Sequence, residues 1–179
     1  MRKPIGFLPV LVLGVASTIL AACPPVTIPI TYTERATVSG TLGGKAFNNA
    51  AILLTMNNDA VNVACHPEKG PSVCIIHGKA TLSLDGVPLT LIPNDWIRDQ
   101  EVFSVNGNGP FVGAGFTNGA DLLDVSSPLF ANYDLRTSIG PITGKGTVPG
   151  FGSVPSPTSG GDLVLNSVGD VTFIARTVP

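Results

Sequence analysis

Short runs of alternating apolar and polar residues, separated by turn residues, constrain the fold of this chain most strongly. Apolar residues occupy every second position of 80–84 (ATLSL) and of 171–175 (VTFIA). Period two is the repeat of a β-strand with one buried face. No window from residue 30 onward keeps the apolar spacing of a helix without Gly or Pro. The pattern therefore predicts an all-β domain.

Turn residues divide the chain into about ten predicted short strands. The clearest turn is Asp85-Gly86, between KATLSL and VPLTLI, because a two-residue type I′ turn needs positive φ at both central residues. Many short antiparallel strands predict a β-sandwich or jelly-roll-like domain over residues 31–179. A stretch rich in Gly, Pro and Ser near 140–160 predicts a long surface loop.

The charge and composition exclude several partners. Charged residues make up only 12% of the chain, but 44% is hydrophobic, so a folded core is expected despite 21 Gly and 16 Pro. The formal net charge is −2, and no block of Lys or Arg follows the first residues. We expect no nucleic-acid partner, because phosphate binding needs a basic patch. The Gly-rich NGNGP lacks a following Lys-Ser/Thr, so nucleotide binding is not expected either.

The first 22 residues have the three parts of a secretory signal. Arg2 and Lys3 are positive, residues 5–20 are apolar, and Leu20-Ala21-Ala22-Cys23 follows. The apolar core is shorter than the roughly 20 residues of a membrane span. Removing this leader would take the side-chain charge of the mature chain to about −4.

The tetrapeptide Leu20-Ala21-Ala22-Cys23 resembles the lipobox of bacterial lipoproteins. This resemblance implies cleavage before Cys23 and acyl chains such as palmitate on Cys23, which would anchor the protein to a membrane. Residue 24 is Pro; the lack of an Asp there implies the outer membrane of the cell envelope, on its periplasmic or surface face. Residues 23–30 would form a stiff, Pro-rich tether.

The two other cysteines, Cys65 and Cys74, flank the polar segment HPEKGPSV. An exported chain favours a disulfide between them, worth roughly 2–3 kcal/mol on the loop-entropy model. A zinc site with His66 and His77 is the alternative. It is disfavoured because neighbouring side chains point to opposite sides of a strand and because oxidation competes with metal binding.

Few residues suggest chemistry. Asp95, Asp99 and Glu101 surround Trp96, which would suit a sugar-binding or sugar-cleaving site. The same residues also fit a charged strand edge with a buried Trp. No G-x-S-x-G motif occurs, and both histidines lie beside the cysteines, so no Ser nucleophile has an evident base.

Calcium is a further possibility that the aspartates raise. Asp121 and Asp124 with Asn118, or Asp162 with Asp170, offer oxygen ligands. Neither set has EF-hand spacing, and such residues also occur in turns because they satisfy their own backbone. We predict no cofactor.

Most of the mature chain resembles an uncharacterised group of exported bacterial β-sandwich proteins. The resemblance lies in ATVSGTLGGKAFNNAAILLTM, ATLSLDGVPLTL, LFANYDLRTSIGPITGKG and GGDLVLNSVGDVTFIART. Many members carry a C-terminal sorting tail, whereas this sequence ends at Pro179, so we expect lipid on Cys23 to replace it. The resemblance implies a surface address and transfers no catalytic residue.

The predicted function is therefore a non-enzymatic module that binds an envelope ligand, such as a glycan or a protein, or that supports the envelope. A carbohydrate-active protein using the Trp96 cluster is the alternative, and a lipid-carrying barrel is a weaker one. All-β architectures host all three functions.

Overall fold

A computed structural model describes residues 26–66, 72–93, 100–106, 112–118, 121–147 and 154–178. Twelve strands and two short 3-10 helices, Ala60–Asn62 and Pro128–Phe130, make up its regular structure, and no α-helix occurs in these ranges. The strands are β1 (Pro29–Leu42), β2 (Lys45–Asp59), β3 (Ala64–His66), β4 (Ser72–Gly78), β5 (Ala80–Leu84), β6 (Val87–Thr90), β7 (Gln100–Asn106), β8 (Gly113–Thr117), β9 (Asp121–Ser126), β10 (Ile139–Thr147), β11 (Leu163–Val168) and β12 (Asp170–Thr177).

All the strands belong to one antiparallel sheet, which confirms the all-β part of the fold prediction. The sheet order is β3-β4-β7-β8-β9-β10-β12-β1-β2-β5-β6, and β11 also pairs with β1. β11 and β12 lie end to end against the long strand β1, separated by Gly169 alone. They therefore act as one strand with a break, and the sheet has twelve strands where about ten are predicted.

Two hairpins have the tight turns that the sequence indicates. Leu84 pairs with Val87 across Asp85-Gly86, whose φ angles are 50° and 78°. Leu42 pairs with Lys45 across Gly43-Gly44, with φ angles of 55° and 78°. Positive φ at both central residues is the signature of the type I′ turn, so the prediction for Asp85-Gly86 is confirmed.

The sheet curls into a half-barrel. β4 and β5 lie near opposite ends of the strand order, which would separate them by about 38 Å in a flat sheet. Yet Lys79 alone connects them, a span of about 7 Å. The two ends also bond to each other: the Asn58 amide donates to the His77 carbonyl at 2.6 Å, and the Ala80 N–H donates to Gln100 Oε1 at 3.1 Å.

The core lies inside this curl. Its centre is Phe173, whose ring is 5.6 Å from the ring of Phe130, 6.1 Å from that of Tyr133 and 6.5 Å from that of Tyr32. Alternate residues of the flanking strands complete it, among them Ile52, Leu54 and Met56 on β2 and Val171 and Ala175 on β12. The buried positions of β5 and β12 follow the predicted alternation.

A closing segment, residues 127–138, fills the core between β9 and β10. Tyr32 donates its hydroxyl to the Leu135 carbonyl at 2.6 Å, and Ser104 donates to the Tyr133 carbonyl at 2.8 Å. Arg136 donates to the Val63 carbonyl at 2.8 Å. The segment thereby joins β1 and β7 to the chain before β3, across the curl.

Two predicted boundaries differ from the structure. Residues 139–147 form β10, whereas the composition near 140–160 predicts a long loop. The glycines there serve close packing, because a Cβ on Gly144 would overlap the Ser126 carbonyl and one on Gly146 the Gly169 carbonyl. At the other boundary, β1 begins at Pro29, which pairs with Asp59, so the last residues of the expected 23–30 tether are already in the sheet.

Candidate functional site

One face of the β4–β9 half of the sheet brings together polar residues that belong to three separate hypotheses from the sequence. His77 lies opposite Glu101, Glu101 opposite Thr117, and Thr117 opposite Asp121. Directly opposed residues of antiparallel strands share a face. The row therefore brings together a residue of the zinc hypothesis, one of the sugar hypothesis and one of the calcium hypothesis.

A bulge adds Asp124 to the same face. Asp121 and Asp124 are three positions apart and would point to opposite faces of a regular strand. Phe116 pairs with Leu123 but Thr117 pairs with Asp121, so Leu122 is an extra residue on β9. The bulge rotates Asp121 onto the side of Asp124. We call His77, Glu101, Thr117, Asp121 and Asp124 the carboxylate face.

Glu101 is held from both neighbouring strands. His77 Nδ1 lies 3.2 Å from Glu101 Oε1, and the contact is an ion pair when His77 is protonated. Thr117 donates its hydroxyl to Glu101 Oε2 at 3.5 Å. The side chain of Glu101 is 18% exposed and that of His77 is 59% exposed. Glu101 is thus oriented and still accessible from solvent.

Asp124 is the most buried acid of this face, at 5% exposure. It packs over Gly115, where a Cβ would overlap Asp124 Oδ1, and Oδ1 has no hydrogen-bond partner within the described ranges. Burial and then the charge of Asp121 raise the pKa of Asp124 to about 8, against an opposing hydrogen bond from Thr147. Burial and then Glu101 raise the pKa of Asp121. Near neutral pH, Asp124 is therefore mostly a neutral acid that can donate a hydrogen bond.

Glu34 is a second buried acid, and it is not among the residues predicted from the sequence. It is fully buried on the core face of β1, opposite Leu54 and Phe173. In the described part of the chain neither carboxyl oxygen has a hydrogen-bond partner. Burial, followed by the charge of Asp124, raises its pKa well above the usual range. The alternation from Ile30 through Tyr32 already indicated this side of the strand.

The cysteine prediction is confirmed. Cys65 on β3 and Cys74 on β4 are paired directly across the hairpin, with Cα atoms 4.0 Å apart, and form a disulfide. The alternative zinc site is therefore wrong, because both thiols are consumed. His66 and His77, its other proposed ligands, lie exposed on separate strands.

The calcium hypothesis gains no support. Among the described residues, no group of three or more His, Cys, Asp or Glu side chains is placed to hold a metal ion. The Asn118 amide is instead a structural bridge, accepting from Gln100 at 3.2 Å and donating to the Ile92 carbonyl at 3.2 Å.

The remaining predicted site residues, Cys23, Asp95, Trp96 and Asp99, lie outside the described residues. Of the proposed sugar cluster, Glu101 lies within the described residues. In the ranges it describes, no helix has the length and hydropathy needed to cross a membrane.

A second surface lies on the other half of the sheet. Arg35, Leu53, Ser83, Asp170 and Thr172 line a shallow depression of about 560 Å³ on the face turned away from the core. Asp170 belongs to one of the candidate calcium sets, and no motif marks the other four residues in the sequence. The sequence signal for those four residues is that they alternate with the core positions of their strands.

Comparison with protein-family models, curated proteins and solved structures yielded no match.

Proposed function

We propose that this chain is an exported bacterial lipoprotein whose β domain binds an envelope ligand, or supports the envelope, without catalysis. The lipid would be attached to Cys23, after the apolar leader and Leu20-Ala21-Ala22. Cleavage at this point leaves a domain tethered to a membrane, the outer one where the cell has two.

The observation that carries the proposal is the Cys65–Cys74 disulfide. Disulfides persist in the periplasm and at the cell surface, and reductants remove them in the cytosol. The bond supports the export that the leader predicts. The two features are independent, since one is a targeting pattern and the other is a contact within the folded domain.

Acylation of Cys23 tests the proposal directly. We would express the full chain in a bacterium that processes lipoproteins, feed a labelled fatty acid and measure the mass of the mature N-terminal peptide. Label and a diacylglyceryl mass increment on Cys23 are expected, and Cys23→Ser should lose both. The matched control, Cys65→Ser with Cys74→Ser, should keep them. An unmodified Cys23 in the wild-type chain would refute the proposal.

A carbohydrate-binding or carbohydrate-active protein is the second candidate, and the carboxylate face favours it. Glu101 and Asp121 are only partly buried and offer oxygens to sugar hydroxyls. A glycan array would identify a ligand, and Glu101→Gln should then weaken binding by about tenfold, the value of one charge-assisted hydrogen bond. Asp170→Asn, on the other half of the sheet, is the control. Glycan binding that survives Trp96→Ala would count against the predicted cluster.

We also propose that the curled sheet packs as a sandwich-like arrangement. The β1–β2 half and the β4–β7 half contribute to one core, and the closing segment bonds to both halves. An experimental structure tests this: face-to-face halves would support it and an open interior would contradict it.

A further inference from the structure

Exposed apolar side chains concentrate where the chain enters the folded domain. Nine large apolar residues are exposed in the described part of the chain. Four of them belong to this corner: Val26 at 77% exposure, Ile28 at 41%, Val61 at 53% and Val178 at 55%. We call these four residues the entry patch.

Hydrogen bonds join the chain segments of Ile28, Val61 and Val178, and Val26 lies two residues before Ile28. The Ala60 N–H donates to the Ile28 carbonyl at 2.8 Å, and the Val178 N–H donates to the Pro29 carbonyl at 2.9 Å. The Asp59 carboxylate accepts from the N–H groups of both Ile28 and Val61, at 2.8 and 3.1 Å. Three separate segments of the chain therefore meet at one corner. The Asp59 carboxylate beside them is already hydrogen-bonded to backbone N–H groups.

The covalent structure places this corner beside the predicted lipid. Ile28 follows Cys23 by five positions in the sequence, so their Cα atoms are at most about 18 Å apart. Val26 is nearer still, at no more than about 11 Å. A bilayer's polar interfacial layers are several ångströms thick, and apolar side chains bury about 5–10 Å into the boundary with the acyl chains. If Cys23 is acylated, the entry patch cannot lie far from the membrane surface.

We propose that the entry patch contacts the membrane in which the Cys23 lipid is inserted. The partner is the headgroup and acyl-chain boundary of that bilayer, and the inference rests on the lipidation proposed above. The lipid brings the patch to the surface, and burial of Val26, Ile28, Val61 and Val178 then orients the domain. β1 would rise from the membrane, with the hairpin at Gly43-Gly44 farthest from it.

The test uses the full acylated chain in phosphatidylethanolamine–phosphatidylglycerol vesicles whose acyl chains carry bromine, which quenches nearby Trp fluorescence. Val61→Trp and, separately, Val178→Trp each add a probe to the entry patch. Val178 lies beyond the end of β12, so its substitution leaves the sheet intact. Fluorescence of the unsubstituted chain is subtracted, because Trp96 is present throughout.

The matched control is Val87→Trp, because Val87 is 60% exposed and lies away from this corner. Val87 follows the turn at Asp85, whose N–H donates to the Ala51 carbonyl on β2. Ala51 is eight residues, or about 26 Å, along β2 from Asp59, which is bonded to the entry patch. We expect loss of most of the added fluorescence at positions 61 and 178, with little loss at position 87.

The outcomes separate the two proposals. Equal quenching at positions 61, 178 and 87 in chains whose acyl mass is confirmed would overturn the membrane contact and leave the lipoprotein proposal standing. A purified chain without the acyl mass would overturn both.

Discussion

At the scale of single residues, two positions carry the largest physical conflicts in the described structure. Glu34 places a carboxyl group among core side chains, and Asp124 places another over a glycine. Burying a polar group without a partner costs free energy, so such groups are rare unless the protein uses them. Both acids make residue-level predictions that a stability measurement can decide.

Replacing Glu34 by Leu should stabilise the domain. The unpartnered carboxyl costs free energy of burial, and a Leu would pack against Leu54 and Phe173; the expected gain in the free energy of unfolding is about 1–3 kcal/mol at pH 7. Urea unfolding measures it. Glu34→Gln is the control, since it keeps an unpartnered polar group and should gain much less. A loss of stability in Glu34→Leu would show that the carboxyl has a partner or a structural role.

Replacing Gly115 by Ala should destabilise the domain. The new Cβ would lie 2.5 Å from the Leu123 carbonyl oxygen and would overlap Asp124 Oδ1, so the backbone must shift, at a cost of about 1–3 kcal/mol. Gly169→Ala is the matched control, because its Cβ would meet nothing closer than the Thr37 oxygen at 3.6 Å. Thermal unfolding of both variants is the measurement. Equal midpoints would contradict the close packing of β8 on β9.

At the scale of elements, the closing segment and the β3–β4 hairpin hold distant strands together. The closing segment reaches across the curl through main-chain carbonyls, and the hairpin is joined by Cys65–Cys74. Arg136 links the two elements, since it donates to the Val63 carbonyl just before β3. Loss of either attachment should weaken the same edge of the sheet.

Tyr32→Phe should weaken the closing segment. It removes the hydrogen bond to the Leu135 carbonyl and leaves a buried acceptor unpaired, which costs about 1–3 kcal/mol. Tyr133→Phe is the matched control, since the buried Tyr133 hydroxyl has no partner within the described ranges. That variant should be neutral or slightly stabilising. Guanidinium unfolding compares them, and equal losses would contradict this assignment.

Removing the disulfide should lower stability while leaving the fold intact. Cys65→Ser with Cys74→Ser removes a cross-link between residues nine positions apart. The unfolded chain then gains conformational entropy, which should lower the free energy of unfolding by roughly 2–3 kcal/mol on the loop-entropy model. The wild-type protein under reductant should show the same loss by urea unfolding. A wild-type protein that is insensitive to reductant would indicate that the bond does not form.

At the scale of the whole molecule, the buried acids make stability depend on pH. Both pKa values are raised on folding, so the folded state holds protons that the unfolded state releases. The contribution of these two acids to the free energy of unfolding is fully present below about pH 4, where they are protonated in the unfolded state as well. It is lost as the pH rises toward their pKa values in the folded state. For Asp124 this loss extends up to about pH 8.

We therefore expect the free energy of unfolding to fall between pH 4 and pH 8. Asp124→Asn, which cannot ionise, should flatten that slope, and Asp170→Asn on the exposed end of β12 should leave it unchanged. Urea midpoints at several pH values provide the measurement. An unchanged slope in Asp124→Asn would contradict the raised pKa of Asp124.

Local patterns along the sequence were sufficient to predict the strands, the tight hairpin and the disulfide. Alternation marks the buried face of β5 and β12, the residue pair Asp85-Gly86 suits a type I′ turn, and the two cysteines flank one short segment. Each of these features depends on residues that are close together in the chain, where residue type and spacing act directly.

The tertiary structure alone decided how these pieces come together. The carboxylate face depends on the β8–β9 bulge and on the pairing of four strands. The curl is seen in the short connection through Lys79 between strands that are far apart in the sheet order. The entry patch depends on hydrogen bonds that join Ile28, Asp59 and Val178 to neighbouring segments. Strand order and register are set by many weak side-chain contacts acting at once, and no local window contains them. The lipidation of Cys23 is thus a prediction from the sequence, while the surface that would meet the membrane is a consequence of the fold.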